Sequence, residues 1–150
     1  TTWRTTAKRP VITGAATGLL VGGAFLVGGL VVRHIPVIAD PITTVLEYTN
    51  HGPLALIVLI AMVNGVAEEL FFRGALYTAL GRFYPVLIST VLYAAATFAT
   101  GNPMLAFAGL ILGTVCGLQR RATGGVLAPV LTHLVWGLIM VLALPLVFGL

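Results

Sequence analysis

Long apolar stretches dominate this sequence, and several exceed the roughly 18 consecutive apolar residues that indicate a transmembrane helix. The chain is 59% hydrophobic and only 8% charged, whereas about a quarter of the residues in a soluble domain carry a charge. We therefore predict an all-α, polytopic membrane protein, built as one compact transmembrane bundle of about five helices.

Turn-forming residues divide the apolar sequence into five predicted membrane segments. These segments cover residues 11–32, 53–80, 85–100, 104–119 and 126–148. Gly101 and Pro103 break the helical pattern between the third and fourth segments, and a polar turn at 120–125 precedes the fifth. The first segment follows basic residues but is too long for the apolar core of a signal peptide, so we interpret it as an anchor. We predict two parts, an N-terminal part at 1–52 and a core at 53–150.

The distribution of basic residues predicts the orientation of the bundle. If the N-terminus is cytoplasmic, the outer segments hold one basic residue, Arg33, together with Asp40 and Glu47. The inner segments then hold Arg4, Lys8, Arg9, Arg82, Arg120 and Arg121. This asymmetry follows the positive-inside rule. The 33–52 loop is then extracytoplasmic, with an interfacial helix near 41–50.

The same charges argue against a nucleic-acid partner, because they lie scattered at helix ends and are not clustered with aromatic residues. Helices rich in Gly, Ala and Val, joined by short loops, are typical of a prokaryotic protein. We therefore predict a multi-pass protein of the bacterial plasma membrane, with the lipid bilayer as its surroundings.

Two glycine ladders predict close packing of helices. Small residues four apart let neighbouring backbones approach each other within a membrane. The ladders are Gly14, Gly18 and Gly22 in the first segment, and Gly109, Gly113 and Gly117 in the fourth. Packing within the chain and a seam between two copies are both compatible with this pattern.

A cluster of charges lies in the second segment, where residues 54–63 carry none. Ionisable groups at membrane depth face a bundle interior or a wet cavity and are a functional-site hypothesis by default. Glu69 and Arg73 are four residues apart on a helix, so they can pair. Glu68 points about 100° away on the same helix and is left free to act as a general base. The alternative is an ion network that only holds helices together.

Estimates of depth bring two further polar residues to the same level of the bilayer. At 1.5 Å per residue, Glu68 lies ~18 Å and His133 ~12 Å from the inner ends of their segments, and Asn102 lies ~25 Å in. All three fall within a hydrocarbon core of ~30 Å. We predict a small polar cavity bounded by Glu68, Glu69, Arg73, Asn102 and His133. Tyr77 and Trp136 could line it, although aromatic residues at helical spacing more often belong to the core.

Three motifs resemble those of the CPBP family (CAAX proteases and bacteriocin-processing enzymes), also called the Abi family of intramembrane peptidases. The family's EExxxR motif is matched by Glu68, Glu69 and Arg73. Its FxxxH motif corresponds to residues 98–102, with Asn102 in place of histidine. Its HxxxN motif corresponds to residues 133–137, with Gly137 in place of asparagine. The resemblance covers roughly residues 54–142 and implies a fold with a core like that of type II CAAX prenyl endopeptidases.

The resemblance also implies a role for each matched position. Glu68 would activate water, supported by Glu69 and Arg73, and His133 would stabilise the tetrahedral oxyanion. Asn102 replaces a histidine that helps to hold the water or a metal. The implied cofactor is Zn²⁺ or another divalent metal, with Glu68 and His133 as ligands, and a metal-free mechanism is the alternative.

Three functions follow as hypotheses. The first is an intramembrane endopeptidase that hydrolyses a peptide bond of a hydrophobic or lipidated peptide or membrane protein through Glu-activated water. The second is a catalytically silent relative that serves as an accessory or scaffold subunit in a membrane complex. The third is a proton-coupled carrier, which the lack of an inverted repeat makes the weakest.

Overall fold

The structure, a computed structural model, describes residues 3–150, with side chains from Arg9 onward. Throughout that range the fold is helical and contains no β-strand, which confirms the predicted fold class. The elements are α1 (Trp3–Val32), α2 (Pro36–Leu46), a 3₁₀ turn (Glu47–Asn50), α3 (Leu54–Glu69), a π-helical segment (Leu70–Leu76), α4 (Tyr77–Leu80), α5 (Pro85–Phe98), α6 (Pro103–Thr123), α7 (Leu127–Leu142) and α8 (Leu144–Val147).

Four of the helical stretches are long and apolar enough to cross a membrane. They are Arg9–Val32, Leu54–Leu80, Pro103–Thr123 and Leu127–Val147. The fifth predicted segment forms α5, a shorter apolar helix of 14 residues. At 1.5 Å per residue α5 is about 21 Å long, less than the ~30 Å core. Of the five predicted membrane segments, four correspond to helices that can cross a membrane, and the third corresponds to a shorter apolar helix.

The glycine ladder of α1 packs against α7 of the same chain. A Cβ added to Gly14 would lie 2.7 Å from the carbonyl oxygen of Ala128, and one added to Gly18 would lie 2.7 Å from Cβ of Val135. Real Cβ atoms do not approach that closely, so these positions require glycine. The first helix therefore lies directly along the last long helix.

The ladder of α6 packs against α5 and the second span. A Cβ on Gly109 would lie 2.6 Å from Oγ1 of Thr97, and one on Gly113 would lie 3.1 Å from Nη2 of Arg73. Both ladders thus serve packing within the chain, the first of the two predicted alternatives. The division at residues 52 and 53 stays a prediction.

The loop between the first two spans is helical, as predicted for residues 41–50. Its helix α2 begins at Pro36, five residues before the predicted start. Proline suits the first position of a helix, because the backbone N–H that it lacks would have no partner within the helix. The cytoplasmic location of the N-terminus stays a prediction, and Arg4 and Lys8, on which it partly rests, lie among residues whose side chains are not described.

A π-helical segment interrupts the second span directly after Glu69. π-helical turns inside α-helices are uncommon and frequently occur at functional sites. The backbone carbonyl of Arg73 lies in this segment and accepts from Nε of Arg120 on α6 at 2.8 Å. The guanidinium of Arg120 also lies over the ring of Tyr77, 4.9 Å from its centroid. Arg120 therefore ties α6 to the π segment.

Candidate active site

The charged cluster predicted in the second span is centred on a fully buried ion pair. Nη1 of Arg73 donates to Oε1 of Glu69 at 3.0 Å, and both side chains are 0% exposed. The guanidinium also lies 4.7 Å from the ring centroid of Tyr93. A planar, permanently charged arginine suits such stacked and paired environments. The predicted pairing of Glu69 with Arg73 is present in the structure.

His133 of α7 joins this pair from the opposite side. Its Nδ1 lies 2.7 Å from Oε1 of Glu69, so the carboxylate accepts from the ring and fixes which nitrogen carries that hydrogen. Gly65 on α3 makes the approach feasible, because a Cβ there would lie 3.3 Å from Cδ2 of the imidazole. The other ring nitrogen, Nε2, is turned toward Glu68.

Glu68 is the member of the cluster that reaches the surface, with 27% of its side chain exposed. Its Oε1 accepts from Nδ2 of Asn64 at 2.8 Å, and its Oε2 accepts from the hydroxyl of Tyr93 at 2.8 Å. Oε2 also lies 3.8 Å from Nε2 of His133, which is too far for a direct hydrogen bond. The two groups face each other across a gap that one small polar molecule can bridge.

Two residues of this cluster were missed by the sequence analysis. Asn64 lies one helical turn before Glu68, and a polar residue four positions away on the same face was a usable signal. Tyr93 carried no such signal, because its role depends on which face of α5 turns toward the second span.

The two aromatic residues named as candidate lining have different surroundings. The indole of Trp136 packs edge-on against His133, with ring centroids 5.8 Å apart. Tyr77 instead lies beneath Arg120. Trp136 is therefore a neighbour of the cluster, and Tyr77 belongs to the contact between α6 and the π segment.

Asn102 is not brought to the cluster, which corrects its predicted place in the cavity. Its side-chain Oδ1 accepts from the backbone N–H of Met104 and so caps α6 at 2.9 Å, while Nδ2 donates to the carbonyl of Pro41 at 2.7 Å. The depth estimate placed it at a level along the bilayer normal but carried no information on lateral position. Tyr93, about two turns earlier on α5, contacts Glu68 instead.

A comparison with protein families decides the relationship of this chain. The family model described as type II CAAX prenyl endopeptidase Rce1-like matches residues 50–139, more than half of the sequence. The chain belongs to this family. Neither a curated protein nor a solved structure matches it. Membership supports a membrane protease type of function, and with the four long apolar helices it supports an integral membrane location.

The matched range of this Rce1-like chain contains the whole cluster, from Asn64 to Trp136. It also contains Gly137, where a Cβ would lie 3.3 Å from Cε of Met62. Gly137 therefore lies against α3, and it adds no polar group beside His133.

The metal implied by the resemblance does not fit the donors present in this Rce1-like chain. Among the side chains that the structure describes, from Arg9 onward, no group of three or more His, Cys, Asp or Glu is placed to hold a metal ion. Catalytic zinc usually has three protein ligands. Glu68 and His133, the two predicted ligands, supply one facing donor each, while Oε1 of Glu69 already accepts from Arg73 and His133. We therefore derive no step through a metal.

Proposed function

We propose that the chain is an intramembrane endopeptidase in which Glu68 activates the water that cleaves a peptide bond. The observation that carries this proposal is the 3.8 Å separation between Oε2 of Glu68 and Nε2 of His133. A water molecule beside these two atoms can donate to Oε2 of Glu68 and accept from Nε2–H of His133 at ordinary hydrogen-bond lengths. Glu68 is also the one carboxylate of the cluster with partial exposure, so a substrate can reach it.

In this reaction Glu68 takes a proton from water as the water oxygen attacks the carbonyl carbon of the scissile bond. Glu68 then returns that proton to the departing amine nitrogen, which leaves a new carboxylic acid and a new amine, and these exchange one proton to become a carboxylate and an ammonium group. Asn64 and Tyr93 hold the two carboxylate oxygens in place. Because Tyr93 donates to the same oxygen that faces His133, it aims the carboxylate into the gap.

His133, in its doubly protonated form, is proposed to stabilise the oxyanion of the tetrahedral intermediate through Nε2–H while Nδ1–H stays donated to Glu69. Glu69 accepts from Nδ1 and fixes the orientation of the ring, and Arg73 in turn holds Glu69. A donor that is already oriented needs little reorganisation when charge develops on the substrate. The buried pair therefore acts on the reaction through the histidine.

The proposed substrate is a hydrophobic or lipidated segment of a peptide or membrane protein. Large apolar side chains flank the exposed side of Glu68, with Val63 60% and Phe71 56% exposed. Since this apolar surface faces lipid in a membrane-spanning helix, an apolar segment can reach Glu68 through the bilayer at a lower cost than a polar one.

A second function, that of a catalytically silent accessory subunit, has specific observations in its favour. Asn102 is engaged in capping α6 and in a hydrogen bond to α2. Gly137 contributes no side chain. Two motif positions that are polar in the CPBP family, which this chain resembles, thus serve helix capping and packing here. Loss of one donor to the oxyanion typically lowers the rate of catalysis ~10²–10³-fold.

The test is cleavage of a library of apolar membrane peptides by purified wild-type protein, Glu68→Gln and Glu47→Gln, scored by mass spectrometry. Glu47→Gln is the matched control, since it makes the same change on the 3₁₀ turn outside the cluster. Cleavage by wild type and control but not by Glu68→Gln supports the peptidase. Folded protein that cleaves nothing in any form favours the accessory subunit. Metal content measured on the same samples tests the implied cofactor.

A further inference from the structure

A groove of about 300 Å³ lies between the start of α5 and the end of α6, separate from the Glu68 cluster. Its lining includes Tyr84, Val86, Leu87, Thr90, Thr114 and Arg121. Thr114 and Arg121 are seven residues apart and therefore share one face of α6. The groove thus has apolar walls along its length, and the cation of Arg121 lies at the end where α5 begins and α6 finishes.

A buried hydroxyl borders the deeper part of this groove. Thr90 is 6% exposed, and its Oγ1 has no hydrogen-bond partner among the described residues. Buried polar atoms in native proteins nearly always have a partner. Thr90 lies six residues after Tyr84, about 9 Å further along α5. The groove therefore offers a hydrogen-bond donor below its charged end.

The charged end carries positive charge with no acidic neighbour. Arg82 and Arg121 are exposed, and neither makes a hydrogen bond or ion pair with any side chain that the structure describes. The four acidic residues lie elsewhere, two in the cluster of the second span and two in α2 and its 3₁₀ turn. Arg121, the arginine that lines the groove, has no counter-charge, which favours an anionic ligand at this end.

The first turn of α5 adds backbone donors to the same place. Pro85 at the first helical position has no N–H, and Tyr84 before it provides no side-chain cap. The amides of Val86 and Leu87 therefore remain without a side-chain acceptor. Helix N-termini attract anions because these amides and the helix dipole point at the ligand. The amides lie beside Arg121 at the entrance of the groove.

We propose that this groove binds one anionic phospholipid. The phosphate lies between Arg121 and the first turn of α5, and one acyl chain follows the apolar walls past Leu87 and Thr114. The ester carbonyls of a phospholipid lie below its phosphate, at the level where the Thr90 hydroxyl can donate. An anionic headgroup is favoured over a zwitterionic one because each arginine near a charged membrane surface adds about 1 kcal/mol of attraction.

The experiment is native mass spectrometry of delipidated protein titrated with phosphatidylglycerol or phosphatidylcholine carrying the same acyl chains. The variants are Arg121→Gln, which removes the cation, and Thr114→Trp, which fills the groove from an exposed position. Arg33→Gln, in the turn directly after α1, is the matched control for loss of one positive charge.

We expect one phosphatidylglycerol per chain to remain bound at collision energies that strip phosphatidylcholine. Arg121→Gln should weaken its binding about five- to tenfold, Thr114→Trp should abolish it, and Arg33→Gln should leave it unchanged. Equal retention of both lipids would overturn the proposal. So would an equal loss in Arg121→Gln and Arg33→Gln, or unchanged binding in a folded Thr114→Trp, since each indicates only the general annulus of lipid.

Discussion

Neutralising Glu69 should destabilise the bundle more than any change at a surface carboxylate. In Glu69→Gln, the fully buried Arg73 loses its counter-charge 3.0 Å away, and His133 loses the carboxylate that orients its ring. Leaving one partner of a buried pair uncompensated costs about 3–5 kcal/mol. A protein of this size loses about 2–4 °C of melting temperature per kcal/mol. We therefore expect a decrease of roughly 6–20 °C, measured by thermal unfolding in detergent.

A double variant separates the lost pair from the unpaired charge that remains. Glu69→Gln with Arg73→Gln removes both charges, so it should be more stable than Glu69→Gln alone, although two buried amides must still find partners. Asp40→Asn, at an exposed position of α2, is the control and should change the free energy of unfolding by less than about 0.5 kcal/mol. Two results would refute the claim that this pair is buried and coupled. One is a decrease of less than about 1 kcal/mol in the free energy of unfolding of Glu69→Gln. The other is a double variant whose loss equals the sum of the losses in Glu69→Gln and Arg73→Gln measured separately.

Three further substitutions, the first with a control at a neighbouring glycine, test contacts between the helices. Gly18→Ala should lower the free energy of unfolding by about 1–3 kcal/mol, measured by chemical unfolding, because the added Cβ would collide with Val135. Gly23→Ala is the control, since the space around it is open, and it should not lower stability. Equal effects of the two changes would argue against the contact of α1 with α7. Arg120→Gln should lower the free energy of unfolding by about 1–3 kcal/mol, because the carbonyl of Arg73 loses its charged donor. Slower peptide cleavage at unchanged KM would show that Arg120 positions the site. An unchanged melting temperature would contradict the contact between Arg120 and the π segment. Asn102→Ala should lower the free energy of unfolding by about 1 kcal/mol, because α6 loses its N-terminal cap, and should leave the cleavage rate unchanged. A large fall in the cleavage rate would show that Asn102 takes part in the reaction.

The parts of the site that depend on local spacing could be predicted from the sequence. A separation of four residues was sufficient to pair Glu69 with Arg73, because helix geometry alone brings such side chains together. Depth along a helix was sufficient to bring His133 to the level of Glu68. Periodic glycines predicted close packing, but only the structure shows that those of α1 pack on α7.

The parts that depend on rotation and lateral position could not be predicted in this way. Tyr93 reaches Glu68 because of how α5 is turned about its axis, which an apolar helix sequence does not encode. Asn102 was misplaced because depth is one coordinate of three, and its amide lies beside Pro41. The π segment after Glu69 gives no signal in hydrophobic periodicity, although it determines where Arg120 attaches.

The most direct test of water activation by Glu68 is cleavage of a membrane peptide in water labelled with heavy oxygen, with wild type and Glu68→Gln side by side. If Glu68 directs water onto the peptide bond, the new carboxyl terminus formed by wild type contains one labelled oxygen and Glu68→Gln forms no product. Labelled product formed at the same rate by Glu68→Gln, or unlabelled product from wild type, would contradict the mechanism.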